Sequence, residues 1–108
     1  IGNTDDHFRN HGFILTTKGW TLSPAYDMNP TLNGYQSLLI SSTSNKADLS
    51  ILFDACEDYM LNRKTAEKII SEVVEAVKEW RGLAVRQGIT KREIDMFSGV
   101  MDKRYNSI

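Results

Sequence analysis

The chain has 108 residues, 41% hydrophobic and 25% charged, with thirteen Lys and Arg against fourteen Asp and Glu for a net charge of -1. That length suits one domain or part of a larger one, and the composition excludes wholesale disorder, collagen and low-complexity architectures. The balanced charge supplies no global field for nucleic acid or an anionic membrane, no apolar run approaches the roughly 18 residues of a membrane span, and a single cysteine, Cys56, excludes an internal disulfide. A cytoplasmic protein with no direct contact to nucleic acid or membrane is therefore expected. The opening residues Ile1 to His7 carry neither a basic segment nor an apolar run, so they do not read as a signal peptide, and the chain reads as truncated at its amino end.

Taken in order, residues 1–46 hold few charges (Asp5, Asp6, Arg9, Lys18, Asp27 and Lys46), both prolines, and many Asn, Thr, Ser and Gly, which predicts loops and short strands. Gly12 to Thr17 and Trp20 to Leu22 are β-branched or aromatic runs separated by Lys18-Gly19, where glycine supplies the positive φ of a tight connection, so a β-hairpin is predicted. Pro24 and Pro30 bracket Ala25-Tyr26-Asp27-Met28-Asn29 and forbid regular helix or central strand there, which places Asp27 in a loop. Ser37 to Ser41 reads as one more short strand, followed by a polar connector.

From residue 47 the period changes to three and four. Leu49, Leu52, Phe53, Cys56 and Met60 predict one buried face of a short helix. Asn62 is placed to cap a longer one, from about Arg63 to Gln87, whose stripe includes Ala66, Ile69, Ile70, Val73, Val74, Val77, Trp80 and Ala84 and whose end is marked by Gly88. Thr90 with Glu93 forms a capping box for a third amphipathic helix carrying Ile94, Phe97, Val100 and Met101. The fold class expected is mainly α, with residues 1–108 forming a single domain: a loop and hairpin region over 1–46 and a helical region over 47–108.

The densest cluster of titratable side chains is Asp5-Asp6-His7-Phe8-Arg9-Asn10-His11. Asp5 and Asn10 have the offset of the D-x-x-x-x-N pattern of kinase catalytic loops, in which Asp meets the substrate hydroxyl and Asn holds Mg²⁺. A second metal-binding Asp should then follow a hairpin, and Asp27 does. Asn10 and Asp27 are hard oxygen ligands of the kind Mg²⁺ takes beside phosphate and water. His7 is expected to fix the loop and point inward rather than bind metal, because two histidines without cysteine among hard oxygens make a poor zinc set.

The strings Ile1-Gly2-Asn3-Thr4-Asp5-Asp6-His7-Phe8-Arg9-Asn10-His11-Gly12-Phe13 and Gly19-Trp20-Thr21-Leu22-Ser23-Pro24-Ala25-Tyr26-Asp27-Met28-Asn29-Pro30 resemble the carboxy-terminal lobe of HipA-like serine/threonine kinases, the toxins of bacterial toxin-antitoxin modules. The resemblance implies a protein-kinase-like helical lobe entered by its catalytic loop and hairpin, with Asp5 catalytic, Asn10 and Asp27 ligating the Mg²⁺ of Mg-ATP, and His7 in support. It further implies γ-phosphate transfer from ATP to a Ser or Thr of a protein substrate, and a DNA-binding antitoxin as partner. The chain departs from that pattern in lacking a Gly-rich loop, a strand Lys and its Glu partner, so the fragment alone is expected to be inactive.

Two other readings bear on these residues. The region could be a non-catalytic helical interaction module that docks an antitoxin or another protein. Asp5, Asp6 and His7 could serve a metal-dependent phosphoesterase, although a further ligand is missing. Trp20 and Tyr26 are expected in the core where the hairpin meets the helices, Cys56 as an inert buried thiol, and Arg9 beside an acid or a phosphate. Lys91-Arg92 and Lys103-Arg104 are short basic pairs suited at most to an acidic partner.

Overall fold

The computed structural model describes residues 1–106. The chain is mainly α, with a small two-stranded antiparallel sheet near its start. A 3₁₀ turn at Phe8–Asn10 leads into strands β1 (Phe13–Thr16) and β2 (Gly19–Leu22); four helices follow among the described residues, α1 (Leu49–Asp54), α2 (Arg63–Val77), α3 (Trp80–Arg86) and α4 (Lys91–Tyr105).

The hairpin forms as its composition predicts. Phe13 pairs with Leu22 and Thr16 with Gly19, and Gly19 takes a φ of 106° that side chains rarely adopt. Thr16 Oγ1 accepts from Lys18 N and donates to the Gly19 carbonyl, which closes the turn. The hairpin is open, however. Trp20 is 72% exposed and Tyr26 45%, so the expectation that both lie in the core is wrong, and every residue of the two strands except Gly19 is exposed. The strand expected over Ser37 to Ser41 is absent as well. That stretch is irregular, with a lone bridge between Tyr35 and Lys46, because Asp6 and Thr4 take up the backbone N–H of Ser37 that a ladder would need.

Three helix starts and one helix end have a local chemical cause. Asp48 caps α1 by accepting from Ser50 N, Asn62 caps α2 by accepting from Thr65 N, and Thr90 and Glu93 form the reciprocal capping box of α4. Gly88 ends α3 at a φ of 78°, with Gly88 N donating to Val85 O and Ile89 N to Ala84 O, the paired bonds of a Schellman cap. Two expectations fail here. The first helix stops at Asp54, and Met60 lies at a left-handed φ of 57° and 96% exposed rather than on the buried face. The long helix expected to Gln87 breaks at Lys78 and Glu79. The break turns α3 onto α4, where Arg81 donates to Asp102 and to Ser98 Oγ and lies over the Trp80 ring at 5.2 Å.

The core is thin. Cys56, Ala66, Ile94 and Met101 are buried, which agrees with an inert Cys56 thiol. The stripe of α2 is only partly covered: Ile69 is 43% and Val73 56% exposed, and both line an open cavity of about 460 Å³ shared with Leu52, Met101 and Arg104. The radius of gyration of 15.3 Å accordingly exceeds the ~13 Å of a compact domain of this size. No helix among the described residues is long and apolar enough to cross a membrane.

The cap at Asp48 makes stability depend on pH. Hydrogen bonds from the Ser50 hydroxyl and backbone, then from Lys46, hold its carboxyl below the ordinary aspartate value. A group depressed by folding contributes fully above its unfolded value and loses that contribution as pH falls through its folded value. Asp48→Ala is therefore expected to lower stability by about 1 kcal/mol at neutral pH and by progressively less as the solution is acidified into the carboxylate range. Urea unfolding of both proteins across that range checks it.

Candidate active site

The loop carrying Asp5 is built from backbone hydrogen bonds. Thr4, only 7% exposed, shares a 2.7 Å hydrogen bond between hydroxyls with Thr31, and its carbonyl accepts from Ser37 N at 3.1 Å and Ser37 Oγ at 2.8 Å. On the other side of Asp5, the Asp6 Oδ1 accepts from Ser37 N at 2.6 Å and Leu38 N at 3.3 Å. The residues flanking Asp5 are thus tied to one distant segment, while the Asp5 side chain itself remains 69% exposed. This gives Asp6 Oδ1 a structural role.

Asn10 closes the loop on Asp5. Its Nδ2 donates to the Asp5 carbonyl at 2.8 Å and its backbone N to the His7 carbonyl at 2.9 Å. With the amide nitrogen engaged, Oδ1 is the end of Asn10 that remains to accept or to ligate. His7 Nε2 lies 3.4 Å from Asp5 Oδ1, its Nδ1 is buried without a hydrogen-bond partner among the described residues, and its carbonyl also meets His11 Nδ1 at 3.1 Å. The His7 ring therefore sits partly inside the loop and against the Asp5 carboxylate. Arg9 is exposed and pairs with no acid among the described residues.

The hairpin returns the chain to this loop. Gly12 O accepts from Ser23 N at 2.8 Å, and the Tyr26 hydroxyl donates to Arg9 O at 3.1 Å, so the proline-bracketed segment is fastened to the 3₁₀ turn. A Cβ on Gly12 would meet Ser23 Oγ at 3.5 Å and the Tyr26 hydroxyl at 3.7 Å, ordinary contacts of a close approach. Asn10, Tyr26 and Met28 line a cavity of about 280 Å³. Asp27 stands between the last two, exposed, at a left-handed φ of 53°, with Oδ1 accepting from Asn29 Nδ2 at 2.9 Å. Asp tolerates that conformation better than most residues, and backbone outliers concentrate at functional loops. Asp5 and Asp27 do not themselves line the cavity, and no group of three His, Cys, Asp or Glu suited to a metal exists among the described residues. The donors fit Mg²⁺ as hard oxygens, Asn10 Oδ1 and the Asp27 carboxylate, with the remaining positions left to phosphate and water.

Two further residues hold the site, and neither was singled out in the sequence. The Arg104 guanidinium, from the last turn of α4, donates to the carbonyls of Ile1, Thr31 and Asn33. Gly2, at a φ of 74°, accepts from Thr31 N and Thr31 Oγ1 through its carbonyl, and a Cβ there would fall 1.4 Å from Arg104 Nη1. A glycine inside so specific a string was an available signal. For Arg104, which reads only as half of a basic pair, there was none.

The description "HipA-like C-terminal domain" matches residues 1–81, and the chain belongs to that family. No curated protein and no solved structure matches it.

Asp6→Ala is expected to cost about 1 kcal/mol, because it removes the side-chain acceptor of Leu38 N and one of the two acceptors of Ser37 N, whose bond to the Thr4 carbonyl remains. Asp6→Asn, which keeps one side-chain oxygen, should recover most of the loss. Chemical denaturation of the two variants measures the difference.

Proposed function

We propose that this chain is the catalytic part of a HipA-like Ser/Thr protein kinase that moves the ATP γ-phosphate to a protein hydroxyl. The observation that carries the reading is the closed loop in which Asn10 Nδ2 binds the Asp5 carbonyl, followed through the hairpin by Asp27 at its left-handed φ. Asp5 presents an exposed carboxylate to accept the hydrogen bond, and then the proton, of the substrate Ser or Thr. His7, 3.4 Å away, orients that carboxylate. Asn10 Oδ1 and Asp27 would hold Mg²⁺, which when bound neutralises charge on the nucleotide phosphates. These 108 residues offer no Gly-rich loop and no strand Lys with a Glu partner to clamp those phosphates, so the chain alone should bind Mg²⁺ weakly and transfer no phosphate. A toxin role with a DNA-binding antitoxin as partner follows from the family and belongs to the same proposal.

The reading of the chain as a non-catalytic interaction module is supported by the open apolar cavity beside α2. It does not explain why Asn10 turns its nitrogen inward and leaves its oxygen available.

In the whole kinase, Asp5→Asn is expected to lower kcat about 10²- to 10⁴-fold with little change in ATP affinity. Asp27→Asn should weaken Mg-ATP binding about tenfold or more, since it removes a charged ligand. Phosphate transfer from labelled ATP and calorimetric Mg-ATP titration separate the two roles. Wild-type rates in both variants would end the kinase reading.

A further inference from the structure

We propose that Arg104, carried by a helix outside the matched region, is a positioning residue for the loop that presents Asp5 and Asn10; the assignment rests on the kinase reading of those two residues. The family match ends at residue 81, and α4 starts at Lys91. From its last turn, Arg104 spreads its guanidinium across three carbonyls that belong to two separate segments, Ile1 on one and Thr31 and Asn33 on the other. Those segments are the two sides of the knot beneath Asp5. Thr31 binds the Gly2 carbonyl through both its N–H and its hydroxyl, at 2.9 Å each, and its hydroxyl meets the buried Thr4 hydroxyl at 2.7 Å. Asp5 is the next residue.

The approach is close enough to dictate sequence. Any side chain at Gly2 would occupy the space of the guanidinium, and its φ of 74° independently favours glycine. A planar fork with five donors can serve three divergent carbonyls, whereas a Lys ammonium is a compact point charge on a flexible stem. The carbonyls are backbone atoms, so the contact fixes where the main chain runs rather than which side chains stand beside it. Arg104 reaches Asp5 and Asn10 through this path of backbone and threonine bonds.

The test uses the whole ¹⁵N-labelled 108-residue chain and its Arg104→Lys and Arg104→Gln variants, with Arg81→Gln as a control that loosens α3 from α4 without touching the clamp. Amide exchange of Thr31 and Ser37 and the side-chain amide signal of Asn10 report loop geometry. Paramagnetic broadening by Mn²⁺ with ATP at millimolar concentration reports the metal position. Both Arg104 variants should speed exchange at Thr31 and Ser37 about tenfold or more, move the Asn10 amide signal and lessen its broadening while broadening at Asp27 persists; Arg81→Gln should do none of these. Arg104→Lys keeps the charge and most of the stem, so it supplies the answer even if Arg104→Gln does not fold. Loop signals that stay at their wild-type positions in the Arg104 variants overturn the proposal, whatever the metal does. A wild-type chain whose Asn10 and Asp27 signals ignore Mn²⁺-ATP overturns the kinase reading instead, whatever the clamp does.

Discussion

The Arg104 guanidinium brings a cation from the end of the last helix against the carbonyls of Ile1, Thr31 and Asn33, and burial pulls its pKa below the ordinary arginine value. Residues 1–46 depend on contacts of this kind because they bury little of their apolar surface. Thr4 is the one buried residue among them, and it is polar. Hydrogen bonds to charged groups are roughly twice as strong as neutral ones, so one guanidinium with three acceptors is a substantial fixing element for a segment otherwise held by threonine, serine and aspartate oxygens. The same bonds that hold the segment also define the path of the backbone through Asp5.

The helical part is organised differently. Its boundaries are set by caps, Asp48, Asn62, Thr90 with Glu93, and Gly88, each local in sequence. Its packing rests on long-range contacts, the buried Cys56, Ala66, Ile94 and Met101 among them, with the Arg81–Asp102 pair joining α3 to α4. Between the two parts lies a cavity of about 460 Å³ walled by aliphatic side chains of α1 and α2 and by the first residues of the chain. An exposed Trp20, an open hairpin and a half-covered α2 stripe together describe a molecule whose apolar surface is incompletely used. The buried Trp80 Nε1, without a hydrogen-bond partner among the described residues, belongs to the same picture.

What could be read from the sequence follows the range over which each signal acts. Gly19, Asn62, Thr90 with Glu93 and Gly88 act over a few residues, and all four take the roles their chemistry predicts. The break at Lys78 and Glu79 was invisible because the apolar period runs through it undisturbed, and the contact beyond it, Arg81 reaching Asp102, spans about twenty residues. Trp20 was misplaced because an aromatic strand residue is ordinarily covered, a rule that presumes a neighbouring layer. Within the site, the Asp5 and Asn10 spacing correctly indicated one loop, which the Nδ2 bond now closes. Asp6 was ambiguous until its oxygen was seen to hold the N–H groups of Ser37 and Leu38, and Arg104 acts across more than seventy residues with no local pattern to announce it.

The central claim is chemical: Asn10 and Asp27 offer oxygens to one Mg²⁺ bound to nucleotide phosphate, with the Asp5 carboxylate on the side where a substrate hydroxyl would approach. The most direct measurement is anomalous scattering from crystals of the 108-residue chain grown with Mn²⁺ and a non-hydrolysable ATP analogue. The account predicts a metal peak bonded to Asn10 Oδ1 and an Asp27 oxygen, at close to the ~2.1 Å of a small octahedral cation. A peak held by His7 or His11, or one bound to nucleotide and to neither Asn10 nor Asp27, would contradict it.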